Sequence, residues 1–164
     1  MPKSVLQDEL RKKHPFECPE QEAALNLLRS QDFLLQQFSK LFAAHGVTGP
    51  QYNVLRILRG QGGQGLPCLE IAAQMITRMP DITRLVDRLE QAGLVERSRT
   101  SEDRRVVLVS ITPAGLTLLA GLDEPVLELH RRSLGHLSAE ELAELNRLLV
   151  KMRYPGEACE AAQN

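Results

Sequence analysis

Apolar residues recur along most of this chain at helical spacing, and in one short stretch they alternate instead. Between residues 19 and 44, Leu25, Leu27, Leu28, Phe33, Leu34, Leu35, Phe38, Leu41 and Phe42 lay a stripe along one long predicted helix. Pro19 suits its first turn, Glu20 and Glu22 lie near its positive end, and Gly46 supplies a stop. One buried face needs only about three or four apolar positions per two turns, and this stripe is wider. A central helix in a monomer core would use part of it. A helix that also meets a second copy of the chain would use all of it, and the width favours that arrangement.

Thr48-Gly-Pro-Gln51 has the pattern of a capping box, and Val54, Leu55 and Leu58 give the helix behind it an inner face. Residues 60–65 are glycine-rich and read as a flexible connector. They do not read as a phosphate loop, because no Gly-Lys-Ser/Thr follows and no strand precedes. A short helix over 69–75 is expected to pack through Leu69, Ile71, Ala72 and Met75. A tight turn at Ile76-Thr77-Arg78 leads into a helix over 80–92, with Pro80 placed in its first turn. There Ile82, Leu85, Val86 and Leu89 recur at i, i+3, i+4 and i+7, so Pro80, Thr83, Arg84, Asp87 and Arg88 point outward. Two helices joined by so brief a turn form a helix-turn-helix.

Gly93 ends that helix, and the period changes from helical to alternating. Leu94 and Val95 open one strand; Val107, Val109 and Ile111 mark one face of a second. Arg97, Arg99, Arg104 and Arg105 lie between them. Helical spacing resumes over 113–134, where Pro113 suits the first turn and Pro125 should produce a kink. Ser138-Ala-Glu-Glu141 is a second capping box, starting a helix with Leu142, Leu145, Leu148, Leu149 and Met152 on one side.

The predicted fold class is mainly α with a small β-hairpin wing: a winged helix-turn-helix flanked by dimerisation helices. The expected layout is one domain overall. It has an N-terminal arm (1–17) ordered only if it docks, a first dimerisation helix (18–46), a winged helix-turn-helix DNA-binding region (47–112), C-terminal dimerisation helices (113–154) and a polar tail (155–164).

Composition narrows the function. Lys and Arg number 20 against 21 Asp and Glu, so any basic surface must be local. Aromatic residues are 4% of the chain and Trp is missing, which argues against stacking on unpaired bases. No signal-peptide run or membrane-length apolar stretch is present, and the three cysteines are widely spaced, so a soluble cytoplasmic protein without a membrane partner is expected. His130 and His136 are on different faces of a helix, no nucleophile elbow occurs, and neither enzyme activity, a metal nor a cofactor is expected.

A helix followed at once by a basic hairpin presents one positive surface, and double-stranded DNA is its expected partner. A run such as Arg97 to Arg105 can also be only a solvated hairpin tip; the adjoining arginine-bearing helix favours function. Asp87 would repel phosphate and is expected to pair with a neighbouring arginine.

Several motifs resemble the MarR family of bacterial transcriptional regulators. They are Gln51-Tyr-Asn-Val-Leu55, Asp81-Ile-Thr-Arg-Leu-Val-Asp-Arg-Leu-Glu90, Gly93-Leu-Val-Glu-Arg97 and Asp103-Arg-Arg-Val-Val-Leu-Val-Ser-Ile-Thr-Pro-Ala-Gly115. The resemblance covers residues 19–153. It implies an obligate homodimer, recognition helices in adjacent major grooves of an operator, wing tips in the minor groove, and often a small aromatic or anionic effector. By position it assigns Thr77, Arg78, Thr83, Arg84 and Arg88 to bases and phosphates, and Asp103 and Arg105 to the wing, the carboxylate holding the guanidinium in a fixed pose. Pro80, Arg97, Arg99 and Arg104 complete the expected DNA-binding set. Arg29, Phe33 and His45 are the expected effector positions. The resulting expectation is a repressor released by an effector. Two alternatives are a redox-responsive regulator using Cys18, although no tyrosine lies near that thiol in sequence, and a winged-helix protein–protein adaptor.

Overall fold

A computed structural model describes residues 4–78, 80–99 and 106–154. Its elements are α1 (Val5–Glu9), α2 (Pro19–Ala44), α3 (Gly49–Gly60), α4 (Cys68–Gln74), α5 (Ile82–Gln91), β1 (Val95–Arg99), β2 (Val107–Ile111), α6 (Pro113–Leu134) and α7 (Ala139–Arg153). They divide into two compact units, residues 1–126 and 127–164, with the boundary inside α6.

Local chemistry sets the helix ends. Thr48 Oγ1 accepts from the Gln51 amide (3.4 Å) and Gln51 Oε1 accepts from the Thr48 amide (2.8 Å), the reciprocal box read from the sequence. Ser138 and Glu141 do the same for α7. The start of α5 differs from expectation. Asp81 is the N-cap, its carboxylate accepting from the Arg84 amide (3.0 Å), so Pro80 precedes the cap and lies outside the first turn. An Asp side chain satisfies an otherwise orphaned amide and therefore fixes the boundary.

The arm is not without structure of its own. Ser4 caps α1, Leu6 is buried, and Glu9 reaches Arg29 of α2 (3.5 Å). Five helical residues are too few to show a period, which is why the hydrophobic pattern gives no sign of α1.

In the first unit the main core joins Val54, Leu55 and Leu58 of α3, Ile71 of α4, Leu85, Val86 and Leu89 of α5, Val95 and Val109 of the hairpin, and Leu119 of α6. A second cluster joins Phe42 and Val47 to Leu122 and Val126. Tyr52, Leu94 and Leu118 touch both clusters, and the Tyr52 ring stacks on Phe42 with centroids 4.5 Å apart. Arg59 adds a two-pronged bond to Asp123, 2.8 Å at each oxygen, tying α3 to α6. Leu69 is a correction: it is 82% exposed, since α4 turns only Ile71 fully inward and packs Met75 at its end.

β1 and β2 pair antiparallel from Val95↔Ile111 to Arg99↔Val107. The glycine connector is more than a linker. Gly62 and Gly63 take positive φ in the turn, and Leu66 then exchanges two backbone hydrogen bonds with Val109 (3.0 and 2.9 Å), flanking β2. At the hairpin base the Thr112 hydroxyl donates to the Gly93 carbonyl (2.7 Å) and accepts from the Gly115 amide (3.2 Å).

α2 buries only Phe42, while Leu28, Phe33 and Leu35 are exposed. α6 continues through Pro125. In the second unit, Leu142 and Leu149 of α7 are half-buried, and Leu145, Leu148 and Met152 are exposed.

Gly115→Ala is expected to destabilise the first unit by roughly 1–3 kcal/mol. A methyl there would run into the Leu94 carbonyl oxygen and the Ile111 side chain. A lowered midpoint in urea unfolding checks this.

The paired hydrogen bonds from Arg59 hold the Asp123 carboxyl below its ordinary value. The bond's stabilisation is therefore present above the unfolded carboxylate value of about 4 and is lost as pH falls through the lower folded value. Asp123→Asn should flatten the acid limb of a plot of melting temperature against pH, with the two curves converging below that window.

Candidate nucleic-acid interface

The turn between α4 and α5 is held from behind. Asn53 of α3 accepts a hydrogen bond from the Ile76 amide through Oδ1 (2.9 Å), and Met75 packs against the core. From that anchored point the chain presents Thr77, Arg78 and Pro80, all exposed, and then α5. Along α5, Leu85, Val86 and Leu89 face the core while Thr83, Arg84 and Arg88 face solvent, as the i, i+3, i+4 spacing requires. The Arg84 side chain is 82% exposed and its Nε rests 3.0 Å from Asp81. That contact leaves the cation at the surface, where an ion pair of this kind holds weakly.

Arg97 behaves differently from its neighbours in the charge run. Its side chain is only 24% exposed, with one guanidinium nitrogen 2.6 Å from Asp87 and another 2.6 Å from Glu90. Burial opposes its charge, but the hydrogen bonds to the two carboxylates outweigh that effect and push its pKa upward. Arg97 is therefore the bolt between β1 and α5, its guanidinium engaged by two carboxylates. Asp87 pairs with an arginine, as its repulsion of phosphate suggested. With two α5 carboxylates engaged in this way, the exposed arginines of the region among the described residues are Arg78, Arg84, Arg88 and Arg99. Asp103, Arg104 and Arg105 lie outside the described residues.

Arg29, Phe33 and His45 are not brought together. Arg29 pairs with Glu9, Phe33 is 57% exposed, and His45 sits at the end of α2 with Nδ1 3.0 Å from the Leu41 carbonyl. Twelve helical residues separate Phe33 from His45, about 18 Å along the axis, too far for one small molecule to touch both within one protomer.

Cys18 is exposed at the N-cap of α2. Glu20 is held below its ordinary value, first by the hydrogen bond from its backbone and then by the Cys18 thiol. Tyr52 stacks on Phe42, which lies 24 residues beyond Cys18 and about 36 Å along α2, so that tyrosine does not line the thiol. Cys68 packs against the core as a small half-buried residue. Among the described residues no group of three or more His, Cys, Asp or Glu side chains could hold a metal, and no helix is long and apolar enough to cross a membrane.

Asn53 and Glu90 fall inside the motifs Gln51–Leu55 and Asp81–Glu90, but the sequence gives neither of them a role of its own. A polar residue next to the apolar pair Val54-Leu55 is a further signal at Asn53. Nothing local marks Asp123.

Two helices set by a clamped turn, with an antiparallel hairpin bolted to the second, make a winged helix-turn-helix, a DNA-binding arrangement. Known proteins specify it further. The profile of the MarR family matches residues 47–107. The chain is 47% identical to a MarR transcription factor from Planctomyces limnophilus, over 82% of this chain and 98% of that one, with a TM-score of 0.64. It is 32% identical over 114 residues to the HTH-type transcriptional repressor IacR of Pseudomonas putida, covering 70% of this chain and 67% of IacR. BpsR of Bordetella bronchiseptica, whose DNA binding is regulated by 6-hydroxynicotinic acid, superposes with a TM-score of 0.74 at 26% identity, over 86% of this chain and 99% of BpsR. The chain belongs to the MarR family and is a DNA-binding transcriptional regulator.

Arg97→Ala is expected to cost about 1–2 kcal/mol of stability, since it strips a charge-assisted hydrogen bond from each of two carboxylates. Arg97→Lys should recover only part, because a lysine lacks the fork that reaches both. Urea unfolding of the three proteins checks the order.

Proposed function

We propose that the chain acts as a homodimeric repressor, one α5 entering each of two successive major grooves, and that a small aromatic or anionic effector releases it. The observation that carries this reading is the division of labour among the arginines. Arg97 is spent on fixing the hairpin to α5, while Arg78, Arg84 and Arg88 stand exposed beside Thr77, Pro80 and Thr83. A rigid, outward cationic helix face suits bidentate contact with guanine edges and phosphates. In this reading the wing pair Asp103 and Arg105, with Arg99 and Arg104, adds minor-groove and phosphate attraction.

The homodimer is supported by Leu28, Phe33 and Leu35, large side chains that α2 leaves exposed in a single protomer. Two-fold symmetry would set the two reading helices about 34–36 Å apart, one turn of DNA. The repressor IacR supports the sign of regulation, and 6-hydroxynicotinic acid on BpsR supports the effector class. An effector of this kind must bind the DNA-incompetent state more tightly, by about 1–3 kcal/mol for ordinary coupling.

Fluorescence anisotropy on duplexes from the region upstream of its own gene, at several salt concentrations, tests the reading, with sedimentation to establish the binding species. Arg84→Ala is expected to lose roughly 1–3 kcal/mol and to relax preference at particular base pairs. Arg105→Ala should weaken binding and flatten the salt slope by nearly one unit for each phosphate it no longer neutralises. Neither change should move the melting temperature. A stable monomer, or full affinity retained by both variants, would sink the proposal and favour a protein–protein adaptor.

A further inference from the structure

Ile76 is the most exposed large apolar side chain among the described residues, at 89%. A lone exposed aliphatic residue is ordinary on a protein surface and by itself implies nothing. Ile76 differs in being held. Its amide donates to Asn53 Oδ1 (2.9 Å), and the residue before it, Met75, is packed against the core. An isoleucine has a stiff χ1, so a clamped backbone largely fixes where its methyl groups project. The residues that follow it, Thr77 and Arg78, are exposed and polar, and they lead directly to the N-terminus of α5. In a helix-turn-helix that N-terminus is the part that meets base edges.

We infer that Ile76 is a specificity-determining residue, contacting the C5-methyl group of a thymine in each half-site. This rests on the DNA-binding reading above and deepens it. Among major-groove features, the thymine methyl is the one an aliphatic side chain recognises without an unsatisfied donor or acceptor. Arg84 and Arg78 can hydrogen-bond to guanine edges or phosphates but gain nothing specific from a methyl, so Ile76 supplies a discrimination that its cationic neighbours lack. Asn53 is then a positioning residue. It fixes the turn from behind without touching DNA.

The test begins by selecting a binding duplex from a randomised library with the full-length protein. Each thymine is then replaced in turn by deoxyuridine, which removes only the C5-methyl. Wild type is expected to lose about fourfold in affinity at one thymine per half-site, the share of one buried methyl group. Ile76→Ala removes the contact from both half-sites of the dimer, so it should bind the unmodified duplex about fifteenfold weaker, be indifferent to deoxyuridine at that position, and keep the penalties seen elsewhere. Its melting temperature should match wild type, because the side chain is not in the core. Ile76→Val should retain most of the sensitivity. If every deoxyuridine penalty survives in Ile76→Ala, or if that variant binds with wild-type affinity, the inference is overturned while the DNA reading stands. Failure of the wild type to enrich any duplex would instead overturn the DNA reading itself.

Discussion

A guanidinium taken partly out of water must find compensating charge, and Arg97 finds it twice, at Asp87 and at Glu90. Those two carboxylates lie three residues apart on α5, hence on one face of the helix. Arg97 meets both only if β1 runs at one height along that helix. The pairing therefore sets where the hairpin stands relative to α5. It also offsets one unit of the negative charge that Asp87 and Glu90 place beside the exposed arginines of α5, so one residue supplies both geometry and electrostatics.

The same economy is visible behind the exposed face of α5. α3 contributes Val54, Leu55 and Leu58 to the core, Asn53 to the turn before α5, and Arg59 to Asp123 on α6. Its Tyr52 ring stacks on Phe42 of α2. A displacement of α2 or α6 would thus press on the helix that clamps the turn. Close-packed cores shift between discrete packings rather than deforming smoothly, so such a displacement would reach the turn as a step.

Much of this is legible in the sequence because it depends on local chemistry. The spacing of Ile82, Leu85, Val86 and Leu89 identifies the inner face of α5, and Thr48 and Ser138 announce their helix starts. What escapes a linear reading depends on three-dimensional proximity. Arg97 and Arg99 are two residues apart in one charge run, yet only Arg97 finds carboxylates on a neighbouring helix. Gly65 reads as linker, although it is the close approach of its backbone to Leu108 and Ser110 that excludes a side chain. Leu69 has the chemistry of a core residue but occupies an outward position on a helix only seven residues long. Arg29, Phe33 and His45 look compatible until the rise of the helix between them is counted.

The bridge from Leu66 to Val109 carries a consequence for how the molecules tolerate one another. A two-stranded hairpin has two open rims, each able to recruit a strand from a neighbouring chain and begin an aggregate. Here β2 is flanked by β1 on one side and by Leu66 on the other. The remaining rim belongs to β1, five residues long with Glu96, Ser98 and Arg99 exposed. A short, charged border of that kind is a poor template for intermolecular sheet growth. The hairpin of one copy is thereby protected from pairing with that of another.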